Sequence, residues 1–370
     1  MITEINTGSR QTEASLLVVY TGGTIGMDYD ETGKFLVPFD FDRLLEKIPE
    51  LKQFGYALTL ISPFEPLDSS DVHPKHWVQL ARLIYENYEK YDGFLILHGT
   101  DTLAFTASAL SFLLENIAKP VVLTGSQLPI SAHRSDARAN FISALQIAAA
   151  HSGGRPLVPE VCVFFDSFLL RGNRARKVQS VHFSAFDSPN YPHLAEAGIF
   201  MDYNSAYILP MPTRGLRLHD QFSTDVNVLK MYPGVPETYV KAVLEDPEVR
   251  GVIIESLGAG TVPSAAWLAK SLEAAAERGV ILFNVSQCTG GTILQGQYAN
   301  SSTLSKLGVV SGRDITFEAG LSKLMIVLGM EDSPESAKQQ LGQAFCGEMR
   351  NDESYRIFVE EVTRRNLPTR

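Results

Sequence analysis

The chain predicts an α/β fold of two domains, a parallel-sheet amino-terminal domain followed by a smaller α/β carboxyl-terminal one. Three observations carry this. Continuous apolar runs end in glycine-bearing loops, as strands buried on both faces do. Those runs alternate with segments of helical spacing, the rhythm of a parallel sheet. At 370 residues the chain exceeds a single typical core, so two domains are expected.

The elements follow in order. Residues 1–15 are polar, and the apolar run after them is too short for a secretory h-region. Leu16-Leu17-Val18-Val19-Tyr20 reads as the first buried strand and opens into Thr21-Gly22-Gly23-Thr24-Ile25-Gly26. Asp28 to Pro38, polar and glycine-containing, reads as a flap. Trp77 to Tyr88 has helical spacing, with Trp77, Leu80, Ala81 and Ile84 on one face. Phe94–Leu97 is the next strand and opens into His98-Gly99-Thr100-Asp101-Thr102. A helix over about 102–116, a strand over 120–123 ending in Thr124-Gly125-Ser126-Gln127, a helix over 137–150 and a strand over 161–165 complete the pattern.

Periodicity fades from Ile199 to Thr224, where Pro210, Pro212 and Gly215 fall. The expected division is therefore an amino-terminal domain over 1–212, a linker over 213–225, a carboxyl-terminal domain over 226–350 and a helical tail over 351–370. Within the second domain a strand is expected at 252–254, a helix at 265–277 and a strand at 280–285. Residues 332–366 read as helical and charged.

Composition narrows the function. Hydrophobic residues make up 45% and charged residues 20%, the proportions of an ordinary globular chain. The net charge of −10 argues against a nucleic-acid surface, which carries a basic stripe. No apolar stretch reaches the roughly 20 residues needed to span a bilayer. Cys162, Cys288 and Cys346 are widely spaced, cannot all pair and form no CxxC, which fits a reducing compartment. A cytoplasmic protein without nucleic-acid or membrane partners is expected.

In isolation each loop has an ordinary structural explanation. Thr21–Gly26 lacks the GxGxxG spacing of dinucleotide sites, and no GK[ST] follows. A plain turn explains its glycines but not hydroxyls on both sides of Gly22-Gly23. Thr100 and Asp101 open a helix, so capping is the bland reading. Asp68-Ser69-Ser70-Asp71 likewise reads as a cap plus turn. Lys177 sits in a basic loop that is ordinarily solvated. His98 and His133 have no partner at metal-ligand spacing, and no metal is expected.

Taken together, the motifs YTGGTIGM, DSSD, YDGFLILHGTDTLAFTASALSF, KPVVLTGSQLP, LLRGNR and VSQC, in that order, resemble the bacterial asparaginases, most closely the type I cytoplasmic group. The resemblance runs to about Glu348 and implies hydrolysis of L-asparagine to L-aspartate and ammonia. Amide hydrolysis needs a nucleophile, a proton relay and a stabilised oxyanion. Thr24 matches the family's nucleophile, which attacks the side-chain amide carbon to give an acyl-enzyme. Thr100 matches the second catalytic threonine. Asp101 and Lys177 match the acid–lysine pair that relays protons. Asp101 also matches the residue that takes the substrate α-ammonium, with Thr100 beside it, and Ser69 and Ser70 the pair that grips the α-carboxylate. Oxyanion donors are implied in the backbone N–H groups near Thr100. No cofactor or metal is implied. Members of the family are homotetramers built as dimers of dimers, in which the small domain completes a neighbour's site.

The chain departs from the family in three places. The flap tyrosine position reads Phe35, whose ring has no proton to relay, with Tyr29 nearby as a substitute. The allosteric asparagine site of the enteric type I group needs an arginine and a threonine where this chain has Glu255 and Arg176. Cys288 still matches there, and an Arg176–Glu255 pair across a degenerate site is expected. Third, the chain continues past the family's usual end after Glu348, with Ile357, Val359 and Val362 able to dock a further helix. Rival readings are a related amidase acting on glutamine or within a tRNA-dependent amidotransferase, and a catalytically weakened amino-acid sensor.

Overall fold

The computed structural model describes residues 2–7, 13–29, 36–38, 44–295 and 299–366. Two compact units result, Met1–Asp220 and Gln221–Arg370.

The first unit is built on a nine-stranded sheet. Its centre holds five parallel strands in the spatial order Tyr56–Ile61, Ala14–Tyr20, Gly93–Leu97, Val121–Thr124 and Val161–Phe165. Ile2–Asn6 pairs antiparallel at one edge. Phe168–Arg171, Ala195–Ala197 and Met201–Tyr203 extend the other edge as an antiparallel meander. All five residues of Gly93–Leu97 and all four of Val121–Thr124 are buried, because helices cover both sheet faces. The helix Pro74–Glu86 presents Trp77, Leu80, Ala81 and Ile84 to the core. Leu103–Leu113 is enclosed on nearly every side, with ten of its residues buried.

The central strand order reverses direction once. Chain progress runs from Ala14–Tyr20 outward to Tyr56–Ile61, then returns across to Gly93–Leu97 on the other side. Such a reversal leaves a crevice beyond the carboxyl ends of the two inner strands. Tyr20 and Leu97 are register partners at that point, so the loops after each strand face the same crevice.

The second unit has four parallel strands in the order Val226–Lys230, Gly251–Ser256, Ile281–Ser286 and Val310–Ser311. Leu229, Ile254, Leu272, Leu282 and Leu304 belong to its core. Residues 332–366 form two helices, Pro334–Gly342 and Asp352–Asn366. The irregular stretch 199–224 is not structureless. Met201–Tyr203 joins the large sheet, and Arg217–Leu218 pairs with Leu114–Glu115. His219 adds a 2.7 Å contact from Nε2 to the Glu115 carboxylate.

Candidate active site

Four loops meet beyond the carboxyl ends of the central strands, and glycine lets them meet. Gly22 and Gly23 have φ of 122° and 84°, conformations L side chains rarely adopt. Space is missing as well: a Cβ on Gly23 would lie 2.4 Å from Gly99 Cα, and one on Gly22 would lie 2.1 Å from Leu67 O. The residues preceding Thr24 and Thr100 are therefore in backbone contact. A Cβ on Gly99 would strike Ser69 Oγ at 2.7 Å, and one on Gly125 would strike His98 O at 2.5 Å.

Thr24 begins a short 3-10 turn, Thr24–Gly26, and is half-buried. Tyr20 holds that turn from beneath, its hydroxyl donating to Gly26 O at 3.1 Å. Burial pushes the Tyr20 phenol up to about 12, so it remains a donor. Sequence reasoning did not single out Tyr20; its strand position marks it only as core.

Thr100 and Asp101 do not cap the following helix. The N-cap is Thr102, without a side-chain cap bond. Thr102 Oγ1 instead donates to Ser69 O at 2.6 Å, and the Asp101 N–H donates to Ser69 Oγ at 3.2 Å. Ser69 is buried, and it ties its loop to the Thr100 loop. Ser70 is exposed, and its hydroxyl donates to Asp68 Oδ1 at 2.7 Å. The backbone and hydroxyl donors of Ser70 hold the Asp68 carboxyl below its ordinary range. The Asp68–Asp71 segment is thus a capped turn, with a 3-10 helix at Ser69–Asp71.

Lys177 arrives from another direction. It lies on the short strand Arg176–Lys177, paired with Phe186–Asp187. Its Nζ donates to Thr100 Oγ1 at 2.8 Å and to Asp101 Oδ1 at 2.6 Å. The Lys177 side chain is 18% exposed and that of Asp101 65%. The site is thus open on the carboxylate side of the bridge and closed on the ammonium side.

Arg176 is a register partner of Asp187. Glu255 takes Lys230 as an ion partner at 3.1 Å. The two residues are register neighbours on adjacent parallel strands. Cys288 is exposed, and its N–H donates to Ser286 Oγ at 3.0 Å. Tyr29 ends the short strand Met27–Tyr29 and pairs with Leu36. Phe35 lies outside the described residues. Among the described residues no group of His, Cys, Asp or Glu is arranged to hold a metal ion, and no helix is long and apolar enough to cross a membrane.

Models of the asparaginase N-terminal domain and the glutaminase/asparaginase C-terminal domain match residues 15–208 and 225–341. The chain belongs to the asparaginase family. This asparaginase is 39% identical to L-asparaginase 1 of Escherichia coli K12, covering 92% of its own length and 99% of that protein. It is 40% identical to the 60 kDa lysophospholipase of Mus musculus, over 91% of its own length and 63% of that protein's. The crystal structure of L-asparaginase I from Vibrio cholerae superposes with a TM-score of 0.82 at 39% identity, covering 91% of this chain and 99% of that one. The asparaginase is therefore a hydrolase with the two-unit α/β architecture of the type I group.

Proposed function

We propose that this asparaginase hydrolyses L-asparagine to L-aspartate and ammonia through an acyl-enzyme on Thr24. The observation that carries the reading is the Lys177 ammonium, bonded at once to Thr100 Oγ1 and Asp101 Oδ1, in a crevice where the loops of Thr24 and Thr100 touch.

Thr24 Oγ attacks the side-chain amide carbon. A C–O bond forms, the carbonyl electrons move to oxygen, and the hydroxyl proton passes to the relay. Collapse breaks the C–N bond, and the proton leaves with nitrogen as ammonia. Water then attacks the ester, and the reverse transfers restore Thr24 and release aspartate. Thr100, Lys177 and Asp101 form the relay, with Thr100 beside the attacked carbon. The exposed face of Asp101 suits the substrate α-ammonium, and Ser69 and Ser70 the α-carboxylate. Backbone N–H groups near Thr100 take the oxyanion. Function in the cytoplasm, and assembly as a dimer of dimers whose small units complete neighbouring sites, extend this reading from the family resemblance.

One methylene separates asparagine from glutamine, worth only about 1–3 kcal/mol in a pocket. The test is therefore ammonia release from both amino acids over a wide concentration range, with acid-quenched samples mapped by mass spectrometry. An aspartyl ester on the Thr24 peptide supports the mechanism. Turnover without asparagine-dependent ammonia release overturns it.

A further inference from the structure

Behind the Thr100 loop lies a polar chain that the mechanism above does not use. His98 is fully buried, with 1% of its surface exposed. Its Nδ1 is 2.7 Å from Gly99 O, and its Nε2 is 2.9 Å from Thr106 Oγ1. Thr106 Oγ1 in turn accepts from Trp77 Nε1 at 3.2 Å. The helices Pro74–Glu86 and Leu103–Leu113 supply Trp77 and Thr106, so the chain is anchored in the core.

The chemistry of these partners fixes every proton. A carbonyl oxygen only accepts, so Nδ1 must carry the hydrogen toward Gly99 O. The indole only donates, so Thr106 Oγ1 accepts from Trp77 and has its own hydrogen free for Nε2. One tautomer satisfies all three contacts. Burial moreover lowers the His98 pKa to about 4, which keeps the ring neutral at ordinary pH.

The consequence falls on the next peptide. The Gly99–Thr100 bond is trans, as no cis peptide occurs among the described residues. Its C=O and N–H therefore point in opposite directions. With Gly99 O held against the buried imidazole, the Thr100 N–H is turned away from it. That N–H has no protein partner among the described residues. Gly99 Cα is itself crowded, since a Cβ there would lie 2.7 Å from Ser69 Oγ and 3.4 Å from Gly23 Cα.

We propose that His98 is a positioning residue: through Gly99 O it fixes the Gly99–Thr100 peptide, so that the Thr100 N–H is presented to the oxyanion. The proposal rests on the placement of the Thr100 loop in the hydrolytic site. Its signature is a loss of kcat with little change in KM, because an oxyanion donor acts mainly in the transition state.

The test compares His98→Leu and His98→Asn with Thr100→Ala. Asparagine reproduces a donor at the Nδ1 position without reaching Thr106; leucine supplies none. His98→Leu should lose kcat about 10–100-fold, the scale of a misplaced catalytic group, with KM within about threefold. His98→Asn should recover most of that loss. Equal loss in both variants, or a fully active His98→Leu, overturns the proposal. An active Thr100→Ala would instead overturn the site reading on which it rests. Should His98→Leu fail to fold, ¹⁵N NMR of the intact enzyme decides the matter. A neutral ring protonated at Nδ1 supports the proposal, and one protonated at Nε2 refutes it.

Discussion

Lys177 Nζ and Asp101 Oδ1 stand 2.6 Å apart, yet the lysine side chain is largely enclosed and the carboxylate is mostly in water. A buried pair broken on one side costs about 3–5 kcal/mol, whereas an exposed one costs about 0–1 kcal/mol. Asp101→Asn should therefore leave stability within about 1 kcal/mol of the wild type. Its effect on kcat should still be large, because Lys177 also holds Thr100. The single variants Asp101→Asn and Lys177→Met and their double should lose kcat to similar extents. Additive losses in the double-mutant cycle would show that the two groups do not act as a unit.

Gly23 tests whether loop contact or backbone strain matters more. Gly23→Ala places a methyl 2.4 Å from Gly99 Cα at a φ of 84°. Gly234→Ala imposes a similar φ, 81°, with nothing within 4 Å. Both should lose about 1 kcal/mol or more of stability. Only Gly23→Ala should also lose kcat, by about 10²-fold, as a shift in the Thr24 loop misaligns the nucleophile. Chemical denaturation and steady-state rates on both variants separate the two effects.

His98 gives stability a pH dependence of known sign. Its folded pKa, about 4, lies below the ordinary 6.5. The unfolded chain therefore binds the proton first as pH falls. The contribution is complete above pH 6.5 and is lost progressively toward pH 4. Between pH 6.5 and 4.5 the His98 component should fall by roughly 2–3 kcal/mol. Urea unfolding of the wild type and of His98→Asn across that window measures it. Parallel pH profiles for the two proteins would contradict this assignment.

Glu255 gives a prediction about regulation. A carboxylate already paired with Lys230 offers no guanidinium to the α-carboxylate of a second asparagine, and it repels one by charge. Dependence of rate on asparagine should be hyperbolic. A Hill coefficient clearly above one, with asparagine bound beside Arg176, would contradict this.

Legibility differed by element. The buried parallel strands were read from apolar runs such as Leu16–Tyr20 and Phe94–Leu97, because burial on both faces leaves an unbroken signal. The antiparallel edge strands Ala195–Ala197 and Met201–Tyr203 were not read, being three residues long and half-solvated. The helix Phe317–Met330 also escaped, since its nearly uniform apolar surface has little periodicity. Motif order pointed to Thr100, Asp101 and Lys177, which the fold brings together. The supporting contacts were invisible in the sequence. Tyr20 to Gly26 and Trp77 to Thr106 to His98 depend on packing between elements, and no spacing rule encodes them.

In the proposed mechanism Thr24 opens the amide. Ammonia release by Thr24→Ala, on enzyme shown by circular dichroism to be folded, tests it most directly. Removal of a covalent nucleophile costs many orders of magnitude, so the rate should fall by about 10⁴-fold or more. A Thr24→Ala enzyme within about tenfold of the wild-type kcat would contradict the account.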